Sequence, residues 1–153
     1  MPAGICFHFE DNDRDVWSGR SIDLDAWLYA CLAFGVDNKV VVDLTSEGLR
    51  VPNIETVKSL EAFEEAHLGE RILYLETPWS FTKFEPTKLP DFQHPEDCWY
   101  VFGPAGGFRP DERPDLEWLT VPQLGSLDGT HVAMHSVHVV GVVLAHRYWQ
   151  RGA

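Results

Sequence analysis

WYVFGPAGGF at Trp99–Phe108, EWLTVPQLG at Glu117–Gly125 and HSVHVVGVVLAHRYWQ at His135–Gln150 decide the fold class of this chain. The first is an apolar strand running into Phe102-Gly103-Pro104 and the pair Gly106-Gly107. The second is an apolar strand running into Val121-Pro122. The third opens at Ser136-Val137-His138 and continues as a long apolar helix. Glycines after a strand let backbone N–H groups approach a ligand with no Cβ in the way. In parallel sheets, ligands bind at the C-terminal ends of strands. Taken singly, each piece also reads as ordinary Gly/Pro punctuation. The glycine turn lacks the Gly-Lys-Ser/Thr of a phosphate loop and the GxGxxG of a dinucleotide fold.

Working outward, Gly4–Phe9 is a short strand and Glu10–Arg20 a polar loop. Asp23–Phe34 places Leu24, Trp27, Leu28, Cys31 and Leu32 on one helix face. Ser21 or Asp23 caps its start and Gly35 suits its end. Lys39–Leu44 is a β-branched run of the kind buried on both faces of a sheet. Ile54–Ala66 reads as a second, acidic helix and Arg71–Leu75 as a third strand. Thr77–Pro95 carries Pro78, Pro86, Pro90 and Pro95 and reads as loop, with room for a short helix near Leu89–Phe92. Cys98–Phe102 and Trp118–Val121 are further strands, and His135–Gln150 is the closing helix. Strands alternating with helices predict a parallel α/β sheet with crossover helices.

The chain has 153 residues, the size of one ordinary domain. A chain of that length buries about 68–70% of its unfolded surface. The formal charge is −12, with 24 acidic against 12 basic residues. That balance disfavours unaided binding to a phosphate backbone, which depends on clustered Lys and Arg. Cys6, Cys31 and Cys98 fit neither a disulfide framework nor a zinc knuckle, and all three sit in apolar runs. They read as buried free thiols in a reducing cytoplasm. Met1–Phe9 has no basic segment of a signal peptide, and no apolar run approaches the length of a membrane span. His131, His135 and His138 are spaced for one helix face, but without HExxH or nearby carboxylates no metal site is expected.

The three C-terminal pieces, in this order and spacing, resemble the SPOUT methyltransferases of TrmH/SpoU type. There a strand–FGPE–x–x–G, a strand–IPM and an SLN–helix build a knotted pocket for S-adenosylmethionine. The N-terminal half resembles the family too, through a helix ending Ala33-Phe34-Gly35-Val36 before a β-branched strand. The resemblance spans about residues 3–150. It implies one α/β domain over 1–153, a parallel sheet, a C-terminal trefoil knot and a homodimer. It implies a cofactor pocket of Phe102, Gly103, Pro104, Gly106, Gly107, Leu119, Val121, Pro122, Met134 and Ser136. It also implies methyl transfer to the 2′-hydroxyl of an RNA ribose.

Several polar positions depart from the family. Its first-helix Asn falls on Asp23, its Gly on Asp25 and its Arg, held to activate the ribose hydroxyl, on Tyr29. The Glu of FGPE falls on Ala105 and the Asn of SLN on His138. The candidate catalytic groups are therefore His138, Tyr29, Asp23 and Arg20. His138 leads because an imidazole titrates near neutral pH. A module of the same fold without catalysis is the alternative. Trp27, Tyr148 and Trp149 are the expected aromatic anchors of a dimer formed by the first and last helices.

Overall fold

The protein is described from a computed structural model. It covers residues 3–10, 22–46, 48, 54–104, 107–123, 126–127, 130–131 and 136–152. The expected strands and end helices are present. They are β1 (Ala3–Phe9), α1 (Ile22–Ala33), β2 (Asn38–Asp43), β4 (Ile72–Leu75), β6 (Cys98–Phe102), β7 (Glu117–Thr120) and α3 (Ser136–Arg151). The segment Ile54–Ala66 is divided: β3 (Glu55–Val57) precedes α2 (Leu60–Ala66). Two local causes divide it. The Ser59 side chain accepts from Ala62 N–H and caps α2. Glu55–Val57 instead pairs with Val40–Val42 at the sheet edge. The proline-rich loop holds a two-residue strand, β5 (Thr87–Lys88), and two 3₁₀ turns, at Pro78–Ser80 and Leu89–Asp91. Ser126–Leu127 (β8) and Thr130–His131 (β9) pair antiparallel, where sequence alone gives a loop.

Seven strands form one sheet in the order β3-β2-β1-β6-β4-β7-β5, and every pairing in it is parallel. The chain leaves β4, adds β6 on one side of it, then returns to add β7 on the other. All C-terminal strand ends therefore meet along one edge. All seven residues of β1 are buried, as its unbroken apolar run requires.

The strand pleat sorts the core into two layers. On one face Ile5, Phe7, Phe9, Val41, Leu73, Leu75, Tyr100, Phe102 and Leu119 pack with α1 and α3. On the other, Cys6, Val40, Val42, Tyr74, Trp99, Val101 and Trp118 pack around Phe63 of α2. Helix α1 lies against α3. It ends in a paired cap: Gly35 N–H donates to Leu32 and Val36 N–H to Cys31, with Gly35 at φ +67°. All three cysteines are free and buried. Burial pushes the Cys31 thiol up to about 12, so it is no nucleophile at neutral pH.

Two expectations about α1 change. Trp27 is fully buried and stacked on Phe7 at 5.3 Å between ring centroids, so it belongs to the core rather than to an interface. Leu32, assigned to the core face by its spacing, is 75% exposed.

Gly4 stands in register with Trp99 across β1 and β6. A Cβ on Gly4 would sit 2.4 Å from the Trp99 ring. That ring is held in turn against Phe63 and His67. Gly4→Ala should therefore destabilise the protein by about 1–3 kcal/mol, read as a lower urea midpoint. Adding Trp99→Phe should cost less than the sum of the single changes, because the smaller ring relieves the clash. Strict additivity would show that the pair does not couple.

Candidate functional site

The residues expected to hold a cofactor converge on the C-terminal edge of the sheet. Register places Phe7, Phe102, Leu75, Leu119 and Thr87 in one row across β1, β6, β4, β7 and β5. Phe102 and Leu119 are two strands apart, about 10 Å at the usual strand spacing. Both face the α1/α3 layer, where Val121 joins them. Gly103 and Pro104 follow Phe102 half-buried, and Pro122 is exposed beyond Val121. Ser136 begins α3. Its side chain, Gly106 and Met134 lie outside the described residues.

The glycine turn is tied down by side chains that sequence reading did not single out. Glu76, just after β4, accepts from Phe108 N–H through Oε1 and from Thr77 N–H at 2.8 Å through Oε2. Its own N–H donates to Leu119 at 3.2 Å, and Thr120 Oγ1 donates to its carbonyl at 2.8 Å. Glu76 thus joins the ends of β4 and β7 to the segment that follows β6. Gly107 has φ +78°, and a Cβ there would stand 2.9 Å from Glu76 Oε1. Gly107 N–H donates to Pro104 at 2.8 Å. Both the backbone conformation and the carboxylate demand glycine here.

His8 acts from β1. Its Nδ1 lies 2.8 Å from the carbonyl of Phe102, so Nδ1 carries the proton. The ring also meets Phe108 edge-on at 5.4 Å. Burial pulls its pKa below the usual histidine value, partly offset by the Phe102 bond and by the carboxylates of Glu10 and Glu61. A neutral His8 thus grips both ends of the glycine turn. The only trace in the sequence is a polar residue in an apolar strand. Gly103 gains a packing role as well, since a Cβ there would come within 2.9 Å of the Phe108 ring. On its α2 side the turn borders a cleft of about 280 Å³, walled by Tyr74, Phe108 and Trp118 with Arg113 at its rim.

Tyr29 is 67% exposed on α1, and His138 is exposed in the first turn of α3. Asp23 lies in the first turn of α1 with its side chain outside the described residues, and so does all of Arg20. Among the described residues, several basic side chains are engaged within the protein. Lys58 pairs with Asp43, Arg71 with Glu117 and Arg113 with Glu64, while Arg109 stands 3.6 Å from Glu112. Arg147 is buried against carbonyls.

No family model matches the sequence, and no curated protein matches it. Solved structures do. One concerns 2-OH methylation of C/U34 on tRNA; it is 15% identical, with a TM-score of 0.65 over 97% of this chain and 95% of that one. The TrmH/SpoU tRNA modifying enzyme of A. aeolicus is 13% identical, with a TM-score of 0.68 over 99% and 76%. The SpoU methyltransferase AviRb of Streptomyces viridochromogenes, in complex with AdoMet, is 12% identical, with a TM-score of 0.64 over 98% and 58%.

The chain has the TrmH/SpoU fold. The parallel α/β architecture expected from the motif frames is thus the one observed. In this sheet Phe102, Gly103 and Val121, which match the motif frames, lie along one edge with Leu119. Tyr29 and His138, which depart from them, stand exposed on the helices.

Glu76→Ala should leave the Phe108 and Thr77 amides without their acceptor. The expected loss is about 1–3 kcal/mol, with faster hydrogen exchange at Phe108 than at β1 amides. Unchanged protection at Phe108 would show that the turn is held by other contacts.

Proposed function

We propose that this protein is an S-adenosylmethionine-dependent methyltransferase acting on RNA at a ribose 2′-hydroxyl. The observation that carries the reading is the fold match over nearly the whole chain, with the glycine turn and the Val121-Pro122 step at one sheet edge. One similar structure concerns 2-OH methylation of tRNA and another holds AdoMet. The residues of this edge suit such a cofactor. Phe102, Leu119 and Val121 offer apolar walls, and Gly103–Pro104 with Gly107 brings backbone close where few side chains intervene. Gly106, Met134 and Ser136 complete the proposed pocket. The cofactor, when bound, supplies an electrophilic methyl group; the chain supplies position and a proton acceptor. His138 takes the proton in this reading, with Tyr29, Asp23 and Arg20 as further candidates. The trefoil knot belongs to the proposal, as does a cytoplasmic setting suited to three buried free thiols.

The proposed enzyme is a homodimer through α1 and α3. Those helices carry a run of exposed apolar side chains: Tyr29 and Leu32 on α1, with Val142, Tyr148 and Trp149 on α3. Trp149 is 79% exposed. Aromatic side chains of this kind anchor interface centres. A second reading, a binding module of the same fold without catalysis, draws support from the exposed tyrosine at the position of the family's arginine. It draws support too from basic side chains already paired within the protein.

Calorimetric titration with S-adenosylmethionine should show saturable binding. Gly103→Val should abolish it in a protein that still unfolds cooperatively. Unchanged affinity in that folded variant would exclude the turn as the site. With an RNA acceptor, His138→Gln should lower turnover by about 10²–10⁴ with cofactor affinity nearly intact. Tyr29→Phe should cost much less. Binding without methylation of any cellular RNA would favour the second reading.

Light scattering should give twice the 17.4 kDa chain mass. Tyr148→Ala with Trp149→Ala should return it to one chain. A dimer that survives both changes would place the interface elsewhere.

A further inference from the structure

Away from the proposed cofactor edge, a polar cluster lies between the start of β6 and the last turns of α3. Arg147 is buried among neutral acceptors. Its Nη1 donates to Pro95 at 2.6 Å and to Tyr100 Oη at 3.1 Å, and its Nη2 donates to Glu96 at 2.6 Å. His94 is buried beside it. Its Nδ1 lies 2.6 Å from Tyr100 Oη, and its Nε2 lies 2.7 Å from His146 Nδ1. Backbone bonds complete the junction. His94 N–H donates to Gln150 Oε1, Gln150 Nε2 donates to Phe92 at 2.8 Å, and Arg151 donates to His94 at 3.0 Å. The segment Phe92–Glu96 is thus strapped to the end of α3.

Donor rules give this chain a direction. A guanidinium only donates, so Tyr100 accepts from Arg147. The Tyr100 hydrogen then goes to His94 Nδ1, a far better acceptor than the neighbouring Cys98 thiol. His94 therefore carries its proton on Nε2 and donates to His146 Nδ1. One added proton breaks this order wherever it lands on the histidine pair. If His146 gains Nδ1–H, His94 Nε2 must accept and its own proton must move to Nδ1. If His94 is the cation, it already carries Nδ1–H. Either way an N–H faces Tyr100, whose hydrogen is driven off toward Cys98.

The charged and titratable neighbours resist the added charge. From β6 they are Tyr100 and Cys98. From α3 they are His146, Arg147 and Arg151, and beyond Phe92 stands Arg71, whose charge is already met by Glu117. Burial first, then His146, Arg147 and Arg151, pull His94 down to about 4.

We infer that the Phe92–Glu96 strap and the end of α3 form an acid-released latch, closed through the directed chain Arg147–Tyr100–His94–His146. The sign follows from linkage. The opened strap binds a proton on His94 near pH 6.5, whereas the closed one does not until about 4. Closure is therefore complete above 6.5 and weakens as the pH falls through that window. The latch holds down the helix whose first turn carries Ser136 and His138.

Nitrogen-15 NMR of the imidazoles at pH 7.5 should show His94 as the Nε2–H tautomer. Hydrogen exchange of the Phe92–Glu96 amides, corrected for intrinsic rate, should then show opening that rises about tenfold per pH unit below 6.5. Amides of α2 should show no such rise. His94→Gln keeps an acceptor for Tyr100 and a donor for His146 but leaves His146 as the one titrating member of the pair, so its strap should open with a shallower rise below pH 6.5 than the wild-type protein's. An Nδ1–H tautomer at pH 7.5 would overturn the inference. So would strap opening in the wild-type protein that does not change between pH 7.5 and 5. Both wild-type measurements stand even if the variant fails to fold, and neither depends on cofactor binding.

Discussion

The carboxylate of Glu76 holds the functional edge of this sheet together. β4 lies between β6 and β7, and Glu76 is the first residue past its end. From there it bonds to β7 through its backbone and to the segment after β6 through its side chain. Without it, the end of β4 would lose its side-chain tie to the segment that follows the glycine turn. The same oxygen explains Gly107, since a side chain there would crowd the acceptor that positions Phe108. His8 completes the arrangement from the far side of β6. The turn is thus defined by its anchors rather than by its own sequence.

A site built this way separates two kinds of change. The walls proposed for the pocket, Phe102, Leu119 and Val121, are core residues packed with α3. Replacing them damages the fold and the pocket at once. The groups that would handle a proton or an acceptor lie on the outer helices, where Tyr29 and His138 are exposed. Those positions can vary with little cost to stability. That is why the frames of the motifs persist here while their polar residues differ. It also explains how a chain of charge −12 keeps the architecture. Among the described residues, Arg113 and Arg71 serve Glu64 and Glu117, and Arg147 serves the carbonyls of Pro95 and Glu96.

The legible parts were those governed by local pattern. The unbroken apolar runs of β1 and β2 gave buried parallel strands, and Gly35 gave the cap of α1. The row of Phe102 and Leu119 was legible from the order of the motifs. What stayed hidden depends on partners distant in sequence. Glu55–Val57 forms a strand because Val40–Val42 offers an edge, although its own residues continue the helical pattern of α2. Trp27 looks like an interface aromatic until Phe7 is seen beneath it. Glu76 and His8 are single polar residues whose meaning comes from Phe108 and Phe102. Nothing in a one-dimensional pattern marks such pairs.

The opposition of Gly4 and Trp99 bears on how the chain reaches this state during synthesis. β1 is central, yet one of its two neighbours is β6, and the His8–Phe102 contact between them spans 94 positions. As the polypeptide emerges from the ribosome, β2 can pair with β1 early, but the other side of β1 must wait. For that interval a largely apolar strand presents an open edge, the kind of segment that recruits other chains. When β6 arrives, the groove left by Gly4 admits the Trp99 ring in one register only, because a slip by one residue would set indole against a side chain. The vacancy at Gly4 is thus a registration mark. It turns a late, long-range pairing into a choice with one sterically open answer.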